Sequence, residues 1–258
     1  WGYNNRELQT MYRNAQSGEC PLVIDKTTPS CGGGRFGCWT CTVVQRDRSM
    51  EAMIENGEDW MEPMLEFRDW LTATQEPSAK PEIREHRRRS GRVEFKELED
   101  GSKKIIWGPY KMTFRQEIIK KLLNAEKTVK EEKGDSSIRL IQEDELRKIR
   151  QLWLTEEGDW EDSLPKVYKE VYGEALDWIQ DDWSGMQGLE KGMLDQYCKE
   201  NDVPTNLVID LFNVERKQHG MSRRSGIYDK IDSVFKKDWR TRDEVFKNAG
   251  INLETLGK

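Results

Sequence analysis

Residues 20–41 read CPLVIDKTTPSCGGGRFGCWTC. Four cysteines, Cys20, Cys31, Cys38 and Cys41, sit in a stretch broken by Pro21, Pro29 and the triplet Gly32-Gly33-Gly34. Proline removes a backbone donor and glycine weakens helix and strand alike, so no regular element runs through it. The stretch is therefore a loop that needs an organiser other than its own backbone, and four thiolates supply one. Ten, six and two residues separate successive cysteines. Soft sulfur ligands select zinc or an iron–sulfur cluster. Structural zinc usually draws on two close pairs, and here only Cys38 and Cys41 form one. Wider spacing suits a cubane, whose irons lie at separate corners. Spacing alone leaves both metals open. The glycine triplet and Arg35 place backbone N–H donors near the sulfurs, where they would stabilise thiolates. The fifth cysteine, Cys198, follows Leu194 by one turn of an amphipathic helix and is expected to be a small buried hydrophobe.

Around this loop the chain reads as helical. It has 258 residues, of which 35% are charged, above the ~25% of an average domain. Mean hydropathy is -0.89. Ten Trp, seven Tyr and seven Phe argue against disorder and for a core of few, large side chains. No run approaches the ~18 apolar residues of a membrane span, and no secretory signal is expected. An odd number of cysteines without such a signal fits a reducing, cytoplasmic setting. The chain begins at Trp1 and is expected to be a piece of a longer protein. A net charge of -6 argues against nucleic-acid binding by bulk positive charge, but it permits a local basic patch.

The first element expected is a helix over Asn5–Ala15. Beyond Ser49, Met50, Met53 and Ile54 share a face, Gly57 ends that segment, and Pro63 suits a first turn. Trp60, Met64, Phe67 and Leu71 follow at helical spacing. Val93-Glu94-Phe95 and Lys104-Ile105-Ile106-Trp107 flank the turn Asp100-Gly101 as a β-hairpin. Thr113 with Gln116 forms a capping box ahead of a stripe of Phe114, Ile118, Leu122, Ala125 and Val129, with Ile119 and Leu123 beside it. Four further helices are marked by Leu146/Ile149/Trp153, by Leu189/Met193/Tyr197, by Leu207/Val208/Leu211/Phe212 behind Pro204, and by Ile227/Ile231/Phe235. Thr241 with Glu244 caps the last. The expected fold is mainly α: a cysteine-rich iron–sulfur loop module, one small hairpin and a helical C-terminal region. Gly134 divides it into a module at 1–133 and a helical domain at 134–258.

Arg84, Arg87, Arg88, Arg89 and Arg92 surround His86, with Glu85 the only acid among them. Guanidinium forks match phosphate oxygens bidentately, which makes the run a candidate contact for nucleotide or DNA phosphate. The bland alternative is a solvated helix face paired with glutamates. A second basic area, Arg216, Lys217, Arg223 and Arg224, reads as a helix junction. His86 and His219 have no convergent partner that makes either a catalytic base. Neither common type of phosphate-binding glycine loop is present, and no Ser/His/Asp set is arguable.

The segment Ser30-Cys31-Gly32-Gly33-Gly34-Arg35-Phe36-Gly37-Cys38-Trp39-Thr40-Cys41-Thr42-Val43-Val44 resembles the cysteine segment of the DndC family. These are sulfurtransferases of bacterial DNA phosphorothioation, related to phosphoadenylylsulfate reductases. The similarity extends to Trp1-Gly2 with Asn5, to Ile106-Trp107-Gly108-Pro109-Tyr110 with Phe114-Arg115, and to Gly220-Met221-Ser222-Arg223-Arg224 with Ile227-Tyr228. The resemblance implies a [4Fe–4S] cluster held by Cys20, Cys31, Cys38 and Cys41. It implies cleavage of ATP to AMP and pyrophosphate, with sulfur replacing a non-bridging oxygen of the DNA backbone. Its implied partners are DNA, a cysteine desulfurase as sulfur source, and companion subunits of the modification complex. The family binds ATP through a Ser-Gly-Gly-x-Asp-Ser loop in an N-terminal α/β domain. That loop is absent from this sequence, which resembles the family's C-terminal part. The competing expectations are another phosphoadenylylsulfate reductase-like enzyme and a non-catalytic zinc-bound interaction module.

Overall fold

The computed structural model describes residues 39–43, 45–179, 188–219 and 225–251. The helix expected over Asn5–Ala15, the first three cysteines, and Arg223 and Arg224 lie outside them. The described residues are mainly helical, with one two-stranded sheet.

Two compact units divide the chain. One runs through Glu76 and adds Lys120–Gln142; the other takes Pro77–Ile119 and everything from Glu143. This nested division differs from a single cut at residues 133 and 134. The reason is local: the helix ending at Lys133 turns back at Gly134, whose φ of 66° suits glycine, and the returning strand of chain packs into the first unit.

In the first unit, helix α1 (Arg48–Glu55) starts where the Asp47 carboxylate accepts the Met50 N–H at 3.1 Å. A 3-10 turn (Asp59–Met61) leads into α2 (Glu62–Ala73), with Pro63 in its first turn as expected. Met50, Met64 and Val129 form the core, and Trp39, Ile54, Trp60, Leu65, Ile138 and Leu140 pack on it. A buried carboxylate organises the return turn. Glu126 accepts the Leu140 N–H at 2.8 Å and the Ile141 N–H at 3.2 Å, and it pairs with Lys130. Two main-chain donors that hydrophobic neighbours cannot satisfy are thereby satisfied.

The second unit begins with the short helix α3 (Lys80–Ile83) and strands β1 (Phe95–Glu97) and β2 (Lys103–Ile105). The strands pair antiparallel in the register Phe95–Ile105, and Gly101 takes φ 79° in the turn. The hairpin is the one expected. Ile105, Val245 and Phe246 make the core beneath it, and the Trp107 ring meets Phe246 edge-on at 6.0 Å. Helix α4 (Met112–Lys133) starts one residue before Thr113, so Thr113 sits inside the first turn. Of its expected stripe, Phe114, Ala125 and Val129 are buried, joined by Ile119 and Leu123.

The remaining helices are α5 (Glu143–Thr155), α6 (Ser163–Tyr172), α7 (Gly188–Glu200), α8 (Thr205–Gln218), α9 (Ile227–Phe235) and α10 (Arg242–Ala249). Thr241 and Glu244 form the expected capping box of α10. Elsewhere the expected faces are displaced. Met193 and Tyr197 are each 67% exposed, while Cys198 beside them is buried, as expected for a small hydrophobe. On α8 the buried apolar side chain is Ile209, and Phe212 is 49% exposed against the Trp160 ring. On α9 it is Val234 rather than Phe235. Among the described residues, no helix is long and apolar enough to cross a membrane.

Candidate functional site

The described part of the cysteine segment begins at Trp39, and α2 holds it. The Trp39 ring packs on the first core and lies 5.7 Å from the Phe67 ring. Arg68, one residue further along α2, is 0% exposed. Its Nη1 donates to the Gln45 carbonyl at 2.7 Å and to Asp69 Oδ1 at 2.7 Å, and its Nη2 donates to the Cys41 carbonyl at 3.3 Å. Gln75 Nε2 donates to the Thr42 hydroxyl at 3.1 Å. One ring and three polar tethers thus fix the segment around Cys41 against α2.

Cys41 itself is half-buried with a free thiol. The other proposed ligands, Cys20, Cys31 and Cys38, lie outside the described residues. Among the described residues no group of three or more His, Cys, Asp or Glu converges as a metal site. The fit to a thiolate-bound centre therefore rests on the surroundings of Cys41. A soft donor sits on a segment whose main chain is gripped by a fully buried cation. The positive charge of that guanidinium would offset part of the charge of an anionic cluster. These residues fit such a group.

The arginine run lies in the second unit and is not a helix. Its main chain lies against residues 107–110: Arg84 bridges Tyr110, and the Gly108 N–H donates to the Glu85 carbonyl at 2.8 Å. The approach is so close that a Cβ on Gly108 would lie 1.8 Å from the Arg87 carbonyl oxygen. Arg84 stacks 4.0 Å from the Tyr110 ring centroid and donates to the Gly108 carbonyl. Arg87 donates to the Asp238 carbonyl at 3.2 Å and lies over Trp239. Arg88 donates to the Trp107 carbonyl at 3.1 Å. Three of the five guanidinium groups thus staple the hairpin to its surroundings. Arg89, 72% exposed, reaches toward Glu157, and Arg92 faces outward. In the second basic area, Arg216 donates to the Leu154 carbonyl at 3.1 Å, a structural role.

His86 is half-buried, and its Nε2–H donates to the Arg240 carbonyl at 3.2 Å. Burial pushes its pKa below the usual 6.5, outweighing the carbonyl contact. A histidine depressed in the folded state binds fewer protons there than when unfolded, so stability falls as pH drops through about 6.5. Thermal unfolding followed from about pH 7.5 to about pH 5.5 is expected to show a decline that is shallower in His86→Gln; an identical decline would remove His86 from the account.

Two concavities take lining residues from the run. A cleft of about 820 Å3 carries six cations, among them Arg87, Arg88, Arg89 and Arg115, but also seven carboxylates. Arg115 pairs there with Glu157 at 2.8 Å. A trough of about 1000 Å3 shares Lys237 and Trp239 with that cleft and carries five cations, Lys237 among them, and three carboxylates.

Comparison with protein-family models, with curated proteins and with solved structures gave no match for this chain.

Proposed function

We propose that this chain is the C-terminal part of a DNA phosphorothioation sulfurtransferase whose cysteine segment holds a [4Fe–4S] cluster. The observation that carries the reading is the segment Ser30–Val44, whose cysteines, glycine triplet and Trp39 resemble the family's cysteine segment. Support comes from the way its last residues are held: Trp39 is wedged into a hydrophobic core, and Cys41 is tethered by a buried guanidinium.

The proposed ligands are the thiolates of Cys20, Cys31, Cys38 and Cys41. When bound, the cluster supplies rigidity to the loop or an electron; with four thiolates each iron is closed to external sulfide. Arg68 keeps the exit of the loop in one place and contributes positive charge beside Cys41. The chemistry requires that a non-bridging phosphate oxygen be made a leaving group. Adenylation from ATP releases pyrophosphate. Sulfide attack at phosphorus then expels AMP carrying that oxygen. The nucleotide loop for the first step belongs to the family's N-terminal domain, so this chain's part is the cysteine segment and the support of the DNA backbone.

The test is cellular. Host cells lacking the modification, given the full-length protein with its desulfurase and companion subunits, are expected to yield phosphorothioate dinucleotides on nuclease digestion and mass spectrometry. DNA without backbone sulfur, while another sulfur-containing product accumulates, would favour a reductase acting on an activated sulfate.

A further inference from the structure

A main-chain carbonyl needs a donor, not a charge. Arg68 meets the carbonyls of Gln45 and Cys41, at 2.7 Å from Nη1 and 3.3 Å from Nη2. Neutral amide donors would satisfy both oxygens at a smaller desolvation cost than a guanidinium without solvent exposure. The charge at this position is surplus to the hydrogen bonding. Its use lies in the electrostatics of the segment it grips.

The neighbouring charges are screened or engaged elsewhere. The Arg46 side chain is 73% exposed and pairs with Glu51 at 2.8 Å, so water and a carboxylate both weaken its field. Asp47 is buried, but its Oδ1 accepts the Met50 N–H in the first turn of α1. Asp69 accepts from Arg68 Nη1 at 2.7 Å, and its side chain is 52% exposed. The Arg68–Asp69 pair is therefore asymmetric. Its cation is dry and holds the Cys41 main chain, while its carboxylate stands at the water edge. A buried charge is screened less than an exposed one, so the positive end acts more strongly on the cysteine segment. The rings of Trp39 and Phe67, 5.7 Å apart, place apolar surface beside the same segment and keep the local dielectric low.

We propose that Arg68 is a positioning residue whose buried charge raises the electron affinity of the [4Fe–4S] centre, with Asp69 opposing it from the solvent side. The inference rests on the proposed cluster and deepens that reading by assigning residues that set its reduction potential. Uptake of one electron from an external one-electron reductant adds one negative charge to the iron–sulfide core. No bond to the protein forms or breaks. A fixed cation stabilises the more negative form, and a carboxylate destabilises it.

The test is a dye-mediated redox titration of the full chain purified without oxygen. Dithionite is the reductant, and the paramagnetic signal of the reduced cluster is the readout. Arg68→Gln removes the charge and keeps an amide donor. Arg68→Lys keeps the charge and loses the fork. Asp69→Asn removes the opposing charge at an exposed position. Iron content and circular dichroism verify cluster and fold in each. Arg68→Gln is expected to hold about tenfold less reduced cluster at a given potential, a midpoint about 59 mV more negative. Arg68→Lys is expected to stay near wild type. Asp69→Asn is expected to move the midpoint the other way, by less, with a shift that fades in high salt. Loosened packing alone would move both neutral variants in the same direction. Equal midpoints in wild type, Arg68→Gln and Asp69→Asn, or a Lys variant displaced as far as the Gln variant, overturn the assignment while leaving the cluster in place. Where Arg68→Gln does not keep its iron, Asp69→Asn decides: an unchanged or more negative midpoint overturns it. A wild-type cluster that accepts no electron from dithionite overturns it as well, whereas a wild-type chain without iron sinks the proposed function itself.

Discussion

Replacing Cys41 with serine is expected to strip the chain of most of its iron. Serine is nearly isosteric with cysteine, but its hydroxyl is a hard donor with a pKa far above that of a thiol, so it does not replace a thiolate at iron. Wild type is expected to carry about four irons, and the variant well under half of that with the visible absorption correspondingly lost. The free thiol of Cys41 is half-buried, and serine fits its place, so helices α1 and α2 should remain folded. Far-ultraviolet circular dichroism separates loss of cluster from loss of fold. Full iron occupancy in Cys41→Ser, with an unaltered spectrum, would take Cys41 out of the ligand set. Cys198→Ser is the control, since that thiol is buried in the other unit and is expected to leave iron content unchanged.

The second large effect is expected at Arg68. A guanidinium without solvent exposure is tolerated because its two terminal nitrogens are used, on the Gln45 and Cys41 carbonyls and on Asp69. Arg68→Met keeps much of the aliphatic volume but leaves two main-chain carbonyls without that donor and cuts the tether of the cysteine loop. The expected cost is about 2–4 kcal/mol of unfolding free energy, the desolvation cost of two carbonyls left without a partner. Arg68→Lys keeps the charge without the planar fork and should fall between the two, because one ammonium cannot reproduce a bidentate grip. Urea unfolding followed by tryptophan fluorescence checks the order. A Met variant as stable as wild type would mean that the carbonyls find other donors and that the loop's exit is not held by α2.

The parts of the fold readable in the sequence are those written in local chemistry. Asp100-Gly101 marks a turn because glycine alone takes its φ cheaply, and the hairpin follows. Thr241 and Glu244 satisfy each other's backbone donors within four residues, so the start of α10 is visible without tertiary information. The α6 helix is written just as locally: Pro165 lies in its first turn, and Leu164, Val167 and Val171 recur at helical spacing on a buried face. What periodicity does not settle is which apolar face turns inward on a helix with several. Tyr197 and Phe235 look like core residues and are exposed, while Cys198 and Val234 next to them are buried.

The candidate sites show the same division. The cysteine spacing is a sequence property, and so is its family likeness. The use made of charged side chains is not. Arg68 and Glu126 read as solvent-facing positions on charged helices, yet both are buried because each satisfies main-chain groups contributed by a distant turn. The arginine run shows the converse. Its density suggests phosphate, but Arg84, Arg87 and Arg88 meet carbonyl oxygens that only folding brings to them. Charge counted along a chain does not reveal which charges the fold consumes.

The most direct test of the proposed cysteine-bound centre is metal and sulfide analysis of the wild-type chain purified without oxygen. The account predicts a brown protein with about four irons and four acid-labile sulfides per chain and no stoichiometric zinc. A colourless, iron-free chain, or one carrying a single tightly held zinc, would contradict it.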